Sequence, residues 1–144
     1  MSSIDWTPFE LFGELGQSEL DLLGDLIEEQ KLRAGEVLCM EGAEADGVIL
    51  LAEGALDCKR EQTGDLGRIE APAVLGLASL ALLGNREVSL RAAGPSRVLL
   101  LTRTAFHRFA QDAPPAAVRL LGAIVRELAG VLRSGIDVLA PPSG

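Results

Sequence analysis

Residue types that carry out catalysis are few in this sequence, and their spacing does not combine them. The one histidine, His107, has no second histidine with which to bind a metal ion or relay a proton. Ser79 and Ser89 have no histidine partner in a nucleophile motif, and neither a G-x-S-x-G elbow nor a P-loop occurs. The acidic stretch of residues 41–46 lacks the alternating oxygen ligands of a calcium loop, which favours a solvated turn. We therefore expect neither an enzyme nor a metal site.

The two cysteines, Cys39 and Cys58, are too few for a disulfide framework or a four-ligand zinc site. Both stand in apolar sequence, and free thiols in such settings are among the most frequently buried side chains. We expect both to be reduced and to pack in the core.

Composition and charge exclude several classes of partner. The chain has 144 residues, of which 48% are hydrophobic and 3% aromatic, and its formal net charge is −8. This length suits one domain, residues 1–144, with enough apolar surface for a core. The negative charge repels nucleic-acid backbones and anionic lipids, and the scarce aromatic side chains leave little on which bases could stack. We expect a partner other than nucleic acid or membrane.

No targeting or membrane segment is visible in the sequence. The first residues lack the basic and apolar pattern of a signal peptide. The longest apolar run, residues 74–83, is about half of the roughly 20 residues that cross a bilayer. We therefore expect a cytoplasmic protein.

Turn residues divide the middle of the chain into short apolar runs. An amphipathic helix precedes them, with its start at Gly16, Glu19 three residues later and apolar positions between Leu20 and Ile27. Glycine-containing turns then recur about every eight to twelve residues, which is typical of a β-sandwich or barrel, here about residues 31–102. The predicted strands are residues 37–40, 48–52, 55–59, 66–69, 73–75, 88–92 and 98–102.

Helical periodicity returns after Thr102 and continues to about residue 134. Prolines at 114 and 115 suit the first turn of the second of two helices. Along that helix, residues at 117, 121, 124, 128 and 131 follow coiled-coil spacing, which makes a candidate interface of Leu121, Ile124, Leu128 and Val131. This stripe either dimerises or packs back on its own barrel. We expect the helix to end at Gly135 and residues 136–144 to form a flexible tail.

The stretch of residues 35–42, Gly-Glu-Val-Leu-Cys-Met-Glu-Gly, followed by Asp46, an apolar run at 48–51 and Gly54, resembles the opening hairpins of the cyclic nucleotide-binding domain family. The element order is similar to that family from about Leu11 to Arg133. The resemblance implies a mainly β jelly-roll barrel with an N-terminal helix, a short cassette helix and a long C-terminal helix.

The family's phosphate-binding cassette maps onto residues 75–80 and the arginine that follows. By this resemblance Gly76, Leu77, Ala78 and Ser79 line the pocket, and Arg86, ten residues after Gly76, takes the phosphate-binding position. The chemistry suits an anion, because a glycine lets the backbone approach, helix N–H groups bind phosphate oxygens and an arginine supplies the countercharge.

Two departures from the family pattern weaken this expected site. Ligand-binding members carry a glutamate that accepts a hydrogen bond from the ribose 2′-hydroxyl, but Leu77 at that position has no acceptor. They carry a small residue after the arginine, but this chain has Glu87. A carboxylate about 4 Å from a phosphate costs roughly 1 to 4 kcal/mol, and an unpaired hydroxyl adds roughly 1 to 3 kcal/mol. Together these departures predict a weakening of about a thousandfold or more.

These residues also have interpretations that involve no ligand. Leu77 suits the core of a leucine-rich turn. Arg86 and Glu87 suit an exposed ion pair worth under about 1 kcal/mol. Alternatively, Arg86 closes onto Glu87 or another carboxylate and fills the emptied pocket with protein charge.

We therefore expect a regulatory or protein-interaction module of this fold that has lost cyclic nucleotide binding and holds no cofactor. The sequence ends soon after the long helix, without the helix-turn-helix of the family's transcription factors, so we expect a protein partner in trans and a homodimer through the C-terminal helix. The alternative is a true sensor that uses Arg86 to bind a cyclic nucleotide or another phosphate-bearing ligand and signals to a partner protein.

Overall fold

The computed structural model describes residues 4–77 and 84–139, with side chains of the last helix described up to residue 130 and at Arg133. In chain order the elements are a 3₁₀ turn (Glu10–Phe12), α1 (Gln17–Gly24), β1 (Glu28–Leu32), β2 (Val37–Cys39), β3 (Gly47–Glu53), β4 (Ala55–Arg60), β5 (Gly64–Glu70), β6 (Ala73–Leu75), β7 (Ser89–Ala92), β8 (Ser96–Thr102), α2 (Arg103–Asp112) and α3 (Pro114–Leu139).

Two four-stranded sheets form the middle of the fold. The strand order is β1-β8-β3-β6 in the first sheet and β2-β7-β4-β5 in the second, and every pairing is antiparallel. Strands that are far apart in the sequence pair with each other: Leu50 of β3 lies opposite Leu99 of β8, and Leu56 of β4 lies opposite Ala92 of β7. This is the jelly-roll class that the sequence predicts. The term barrel needs correction, because each sheet keeps two edge strands and the sheets do not close on each other.

The side chains of β3 build a separate core on each face of the first sheet. Val48 and Leu50 belong to a helix-side core, together with residues of the N-terminal segment, α2 and the first half of α3. Ile49 and Leu51 belong to an inter-sheet core, together with residues of the second sheet. A strand buried on both faces has an apolar side chain at every position, which explains the uninterrupted run in the sequence.

Each of the seven predicted apolar runs overlaps an observed strand, but β1 was missed. Its sequence, Glu-Glu-Gln-Lys-Leu, is exposed at every position except Leu32 and shows no apolar alternation. Pairing with β8 places it in the sheet, from Glu28 opposite Leu100 to Leu32 opposite Ser96. The β region therefore starts at residue 28 rather than about residue 31.

The helices begin where the sequence predicts and differ mainly at their ends. The Glu19 carboxylate accepts a hydrogen bond from the Gly16 N–H at 2.9 Å, which fixes the start of α1, and α1 ends at Gly24. Helix α3 continues past Gly135 to Leu139, because a glycine inside a long helix costs only about 1 kcal/mol. The predicted cassette helix falls largely on residues 78–83, and these and residues 140–144 lie outside the described residues. Among the described helices, none has the length and apolarity of a membrane span.

Candidate functional site

Backbone pairing between two loops fixes the position of Arg86. The Gly42 N–H donates to the Arg86 carbonyl at 2.8 Å, and the Arg86 N–H donates to the Ala43 carbonyl at 2.6 Å. One step further, the Ala45 N–H donates to the Gly84 carbonyl at 2.9 Å. The loop between β2 and β3 is therefore hydrogen-bonded to the segment before β7, and two of these bonds hold the backbone of Arg86.

The guanidinium of Arg86 lies at the edge of a cavity of about 260 Å³ that residues of both sheets line, among them Leu38, Ile49 and Leu100. Its side chain is only 13% exposed. The Nη2 atom donates to the Gly47 carbonyl at 3.1 Å and lies 3.9 Å from the Asp46 carboxylate. The candidate phosphate-binding cation thus already has an acceptor and a countercharge from the protein.

Gly76 and Leu77 follow β6 and differ in what they can offer a ligand. Gly76 has a φ of +74°, a conformation that favours glycine and brings the backbone close to its surroundings. Leu77 is 9% exposed and belongs to the helix-side core. The position that the resemblance assigns to a ribose-binding acid thus carries a core side chain. Ala78 and Ser79, the other predicted cassette residues, lie outside the described residues.

Glu87 is turned away from its neighbour in the sequence. Its side chain is 86% exposed, and its carboxylate lies 3.8 Å from Nη2 of Arg60, whose Nε also donates to the Glu87 carbonyl at 3.4 Å. The repulsion of roughly 1 to 4 kcal/mol expected from Glu87 assumed a carboxylate about 4 Å from a bound phosphate. Because the Glu87 carboxylate is exposed and paired with Arg60, that energy is too large. The carboxylate beside Arg86 is that of Asp46, which the sequence assigned to a solvated turn.

The rim and wall of the cavity carry more negative than positive charge. Glu28, Glu44 and Asp46 line it together with Arg86. Cys39 also lines it, and burial raises the pKa of its thiol, although the positive charge of Arg86 acts in the opposite direction. Burial likewise raises the pKa of Cys58, and both cysteines are free. Within residues 4–77 and 84–139, no group of three His, Cys, Asp or Glu side chains converges as a metal site would require.

Aromatic side chains are segregated away from the cavity. The chain has four phenylalanines, one tryptophan and no tyrosine. All five rings lie in or against the helix-side core: Trp6, Phe9, Phe12, Phe106 and Phe109. A purine in the cavity would therefore lack an aromatic ring on which to stack.

The predicted interface of α3 divides between two faces of the helix. Ile124 is 5% exposed and packs in the helix-side core with Ala116, Ala117 and Leu120, so its side chain lies on the face of α3 that packs on its own domain. Leu121 and Leu128 are 41% and 38% exposed. The side chain of Val131 lies outside the described part of the helix. Of the predicted residues, Ile124 thus packs back on its own domain, whereas Leu121 and Leu128 lie on an adjacent, exposed stripe of the helix.

A second apolar stripe of α3 faces solvent. It consists of Val118, Leu121, Val125 and Leu128, at steps of three, four and three residues. We call these four residues the exposed stripe. From Val125 to Gly130 every residue is exposed.

Two ion pairs attach α3 to the N-terminal segment. Nη2 of Arg119 donates to the Glu19 carboxylate at 2.6 Å, and Arg126 pairs with Glu14 at 3.0 Å. Hydrogen bonds from the Gly16 N–H and from Arg119 hold the pKa of Glu19 below its usual value. These contacts set the direction in which the exposed stripe points.

The solved structures that the chain resembles share this architecture. A cyclic nucleotide-binding domain from Methylobacillus flagellatus KT superimposes with a TM-score of 0.78 at 19% identity, covering 95% of this chain and 83% of that one. The N-terminal domain of a transcriptional regulator from Streptomyces coelicolor A3(2) gives 0.75 at 24% identity, covering 92% and 93%. The sensor domain of the transcriptional regulator DNR from Pseudomonas aeruginosa gives 0.69 at 22% identity, covering 96% and 95%.

Sequence comparison agrees with these likenesses in fold. None of the curated proteins compared with the chain matches it. Residues 29–113, from β1 to the residue after α2, match the family described as the cyclic nucleotide-binding domain. That family is mostly regulatory rather than catalytic. With this match over more than half of its length, the chain belongs to the cyclic nucleotide-binding domain family.

Proposed function

We propose that this protein is a non-catalytic regulatory or protein-interaction module that has lost cyclic nucleotide binding and acts as a homodimer through α3. The observation that carries the first part is the state of the two ligand positions. Leu77 is buried in the helix-side core, and the Arg86 guanidinium is engaged by the Gly47 carbonyl and Asp46.

The energetic consequence follows from what a cyclic nucleotide would find. Its ribose hydroxyl loses the acceptor that Leu77 cannot supply, at a cost of about 1 to 3 kcal/mol. Its phosphate competes with Asp46 for Arg86, at a cost of up to about 1 kcal/mol because Asp46 is largely exposed. Together these terms weaken binding by about fivefold to a thousandfold.

Calorimetric titration with cyclic AMP and cyclic GMP tests the loss of binding. We expect no saturable heat at micromolar ligand. The alternative function, a sensor that uses Arg86, predicts micromolar binding that disappears in Arg86→Ala. Such a result would replace the proposed function with the sensor.

The exposed stripe supports the homodimer. Its spacing is that of a coiled-coil seam, and it runs for about 15 Å along the helix. Gly122 and Ala129 border the stripe, so a second helix would meet small side chains there. Arg119 and Arg126 are engaged within the chain by Glu19 and Glu14, which leaves an apolar surface free for a second copy.

Sedimentation velocity tests the dimer with a matched pair of variants. Leu128→Glu places a charge in the exposed stripe, and we expect it to convert a dimer into a folded monomer. Gly130→Glu adds the same charge to the opposite side of the helix, where nothing lies within 4 Å of an added Cβ, and it should remain dimeric. A monomeric wild-type protein, or dissociation by both variants alike, contradicts dimerisation through this stripe.

A further inference from the structure

We propose that Asp46 acts as an internal anion for Arg86, in the place that a ligand phosphate would take, and that neutralising Asp46 restores affinity for phosphate-bearing small molecules. The proposal rests on the proposed loss of cyclic nucleotide binding and names the residue that maintains it.

The backbone around Asp46 is held on both sides. Its carbonyl accepts a hydrogen bond from the Arg103 N–H at 2.8 Å, at the start of α2. The next residue, Gly47, packs so closely on β8 that a Cβ there would collide with the Leu101 carbonyl oxygen and the Thr102 Cα atom. Its own carbonyl accepts the hydrogen bond from Arg86. The start of β3 therefore holds Asp46 beside the Arg86 guanidinium and also supplies the Gly47 carbonyl that accepts its hydrogen bond.

The charge arrangement favours this role for Asp46 over the other acids of the cavity. The Arg86 side chain has lost most of its contact with water, so a nearby carboxylate stabilises its charge. Glu44 also lines the cavity, but its carboxylate lies 3.6 Å from Arg103. The two acids are similarly exposed, at 68% for Asp46 and 76% for Glu44. They differ in the arginine with which they pair.

A phosphate that approached Arg86 would meet Asp46 as a competitor. Binding would either displace the carboxylate from the guanidinium or hold two negative groups beside one positive group. Asp46→Asn removes the charge and keeps nearly the same shape and a hydrogen-bonding side chain. We expect it to tighten binding of a phosphate-bearing ligand by about fivefold, as befits a partly exposed charge pair.

The experiment is a titration with cyclic AMP at low ionic strength, followed by NMR chemical-shift changes so that weak binding is measurable. The wild type, Asp46→Asn and the matched control Glu44→Gln are compared, with the circular dichroism spectrum of each as a check of folding. Each variant removes one negative charge from the same cavity, so a general field effect would appear in both. The expected result is tighter binding in Asp46→Asn alone, and its loss in the double variant Asp46→Asn with Arg86→Gln.

Three results would overturn the proposal: equal gains in Asp46→Asn and Glu44→Gln, no gain or no detectable binding in Asp46→Asn, or a gain that survives loss of Arg86. The proposed function fails on a different result, which is micromolar binding by the wild type. The ratio of the two affinities still measures the effect of Asp46 in that case, so the two failures are distinguishable.

Discussion

Replacing Leu77 with glutamate should not restore a ligand site, although it returns the family's residue to its position. Leu77 is 9% exposed within the helix-side core. A carboxylate placed there loses water and finds an apolar environment in which its charged form is disfavoured. We expect Leu77→Glu to unfold more readily than the wild type and to show no micromolar affinity for cyclic AMP.

The magnitude follows from the burial of this side chain. Removing a buried leucine costs about 2 to 5 kcal/mol, and the buried carboxyl group adds to that cost. For a chain of this size, each kcal/mol lowers Tm by roughly 2 to 4 °C, so a loss of about 10 °C is expected. Because burial raises the pKa of the new carboxyl group above its unfolded value, the loss should be smallest in mild acid and should grow as the pH rises.

Thermal and urea unfolding followed by circular dichroism provide the assay. Leu77→Met serves as the control, because it preserves volume and apolarity and should cost less than about 1.5 kcal/mol. A Leu77→Glu protein as stable as the wild type at neutral pH would refute the placement of this side chain in the core. If that protein also bound cyclic AMP at micromolar concentration, Leu77 would be a pocket residue.

Two further predictions concern the framework around the site. Glu19→Gln should lower stability at neutral pH and flatten the fall in stability that the wild type shows in acid. The reason is that the pKa of the Glu19 carboxyl group in the folded protein lies below 4.5, so this group stabilises the fold above that pH and loses the effect as the pH falls. An unchanged loss of stability in acid would contradict this role. Gly47→Ala should lower the free energy of unfolding in urea by about 2 kcal/mol or more, because the added Cβ meets the backbone of β8. Gly94→Ala, whose added Cβ has nothing within 4 Å, should change that free energy by less than about 0.5 kcal/mol. Equal stabilities of the two variants would exclude the close approach at Gly47.

Sequence patterns predicted the strands that carry apolar alternation or continuous apolar runs, together with the turns between them. They did not predict β1, because its charged residues belong to a strand only through pairing with β8. Periodicity also found the apolar surface of α3 but could not divide it. Ile124 and Leu128 both fit one seam, and only packing against the N-terminal segment and α2 distinguishes the buried side chain from the exposed one.

The candidate site shows the same division. The spacing of Gly76 and Arg86, taken with the family resemblance, predicted a cassette, most of which falls on residues 78–83, outside the described residues. The direction of Glu87 depends on Arg60, which is distant in the chain, and sequence reasoning had no means of pairing them. The approach of Asp46 to Arg86 depends on the hydrogen bonds between two loops, so an acidic residue in an ordinary turn sequence carried no signal of its role.

The placement of the aromatic rings has a practical consequence for spectroscopy. Trp6 is the only tryptophan, and its ring centroid lies 4.7 Å from that of Phe12 in an edge-on contact. Trp6 packs against the helix-side core, so its emission should respond to unfolding of that core. Among the described residues, no aromatic side chain lines the cavity that contains Arg86. Ligand binding in that cavity should therefore change the fluorescence of Trp6 little, whereas unfolding of the helix-side core should change it.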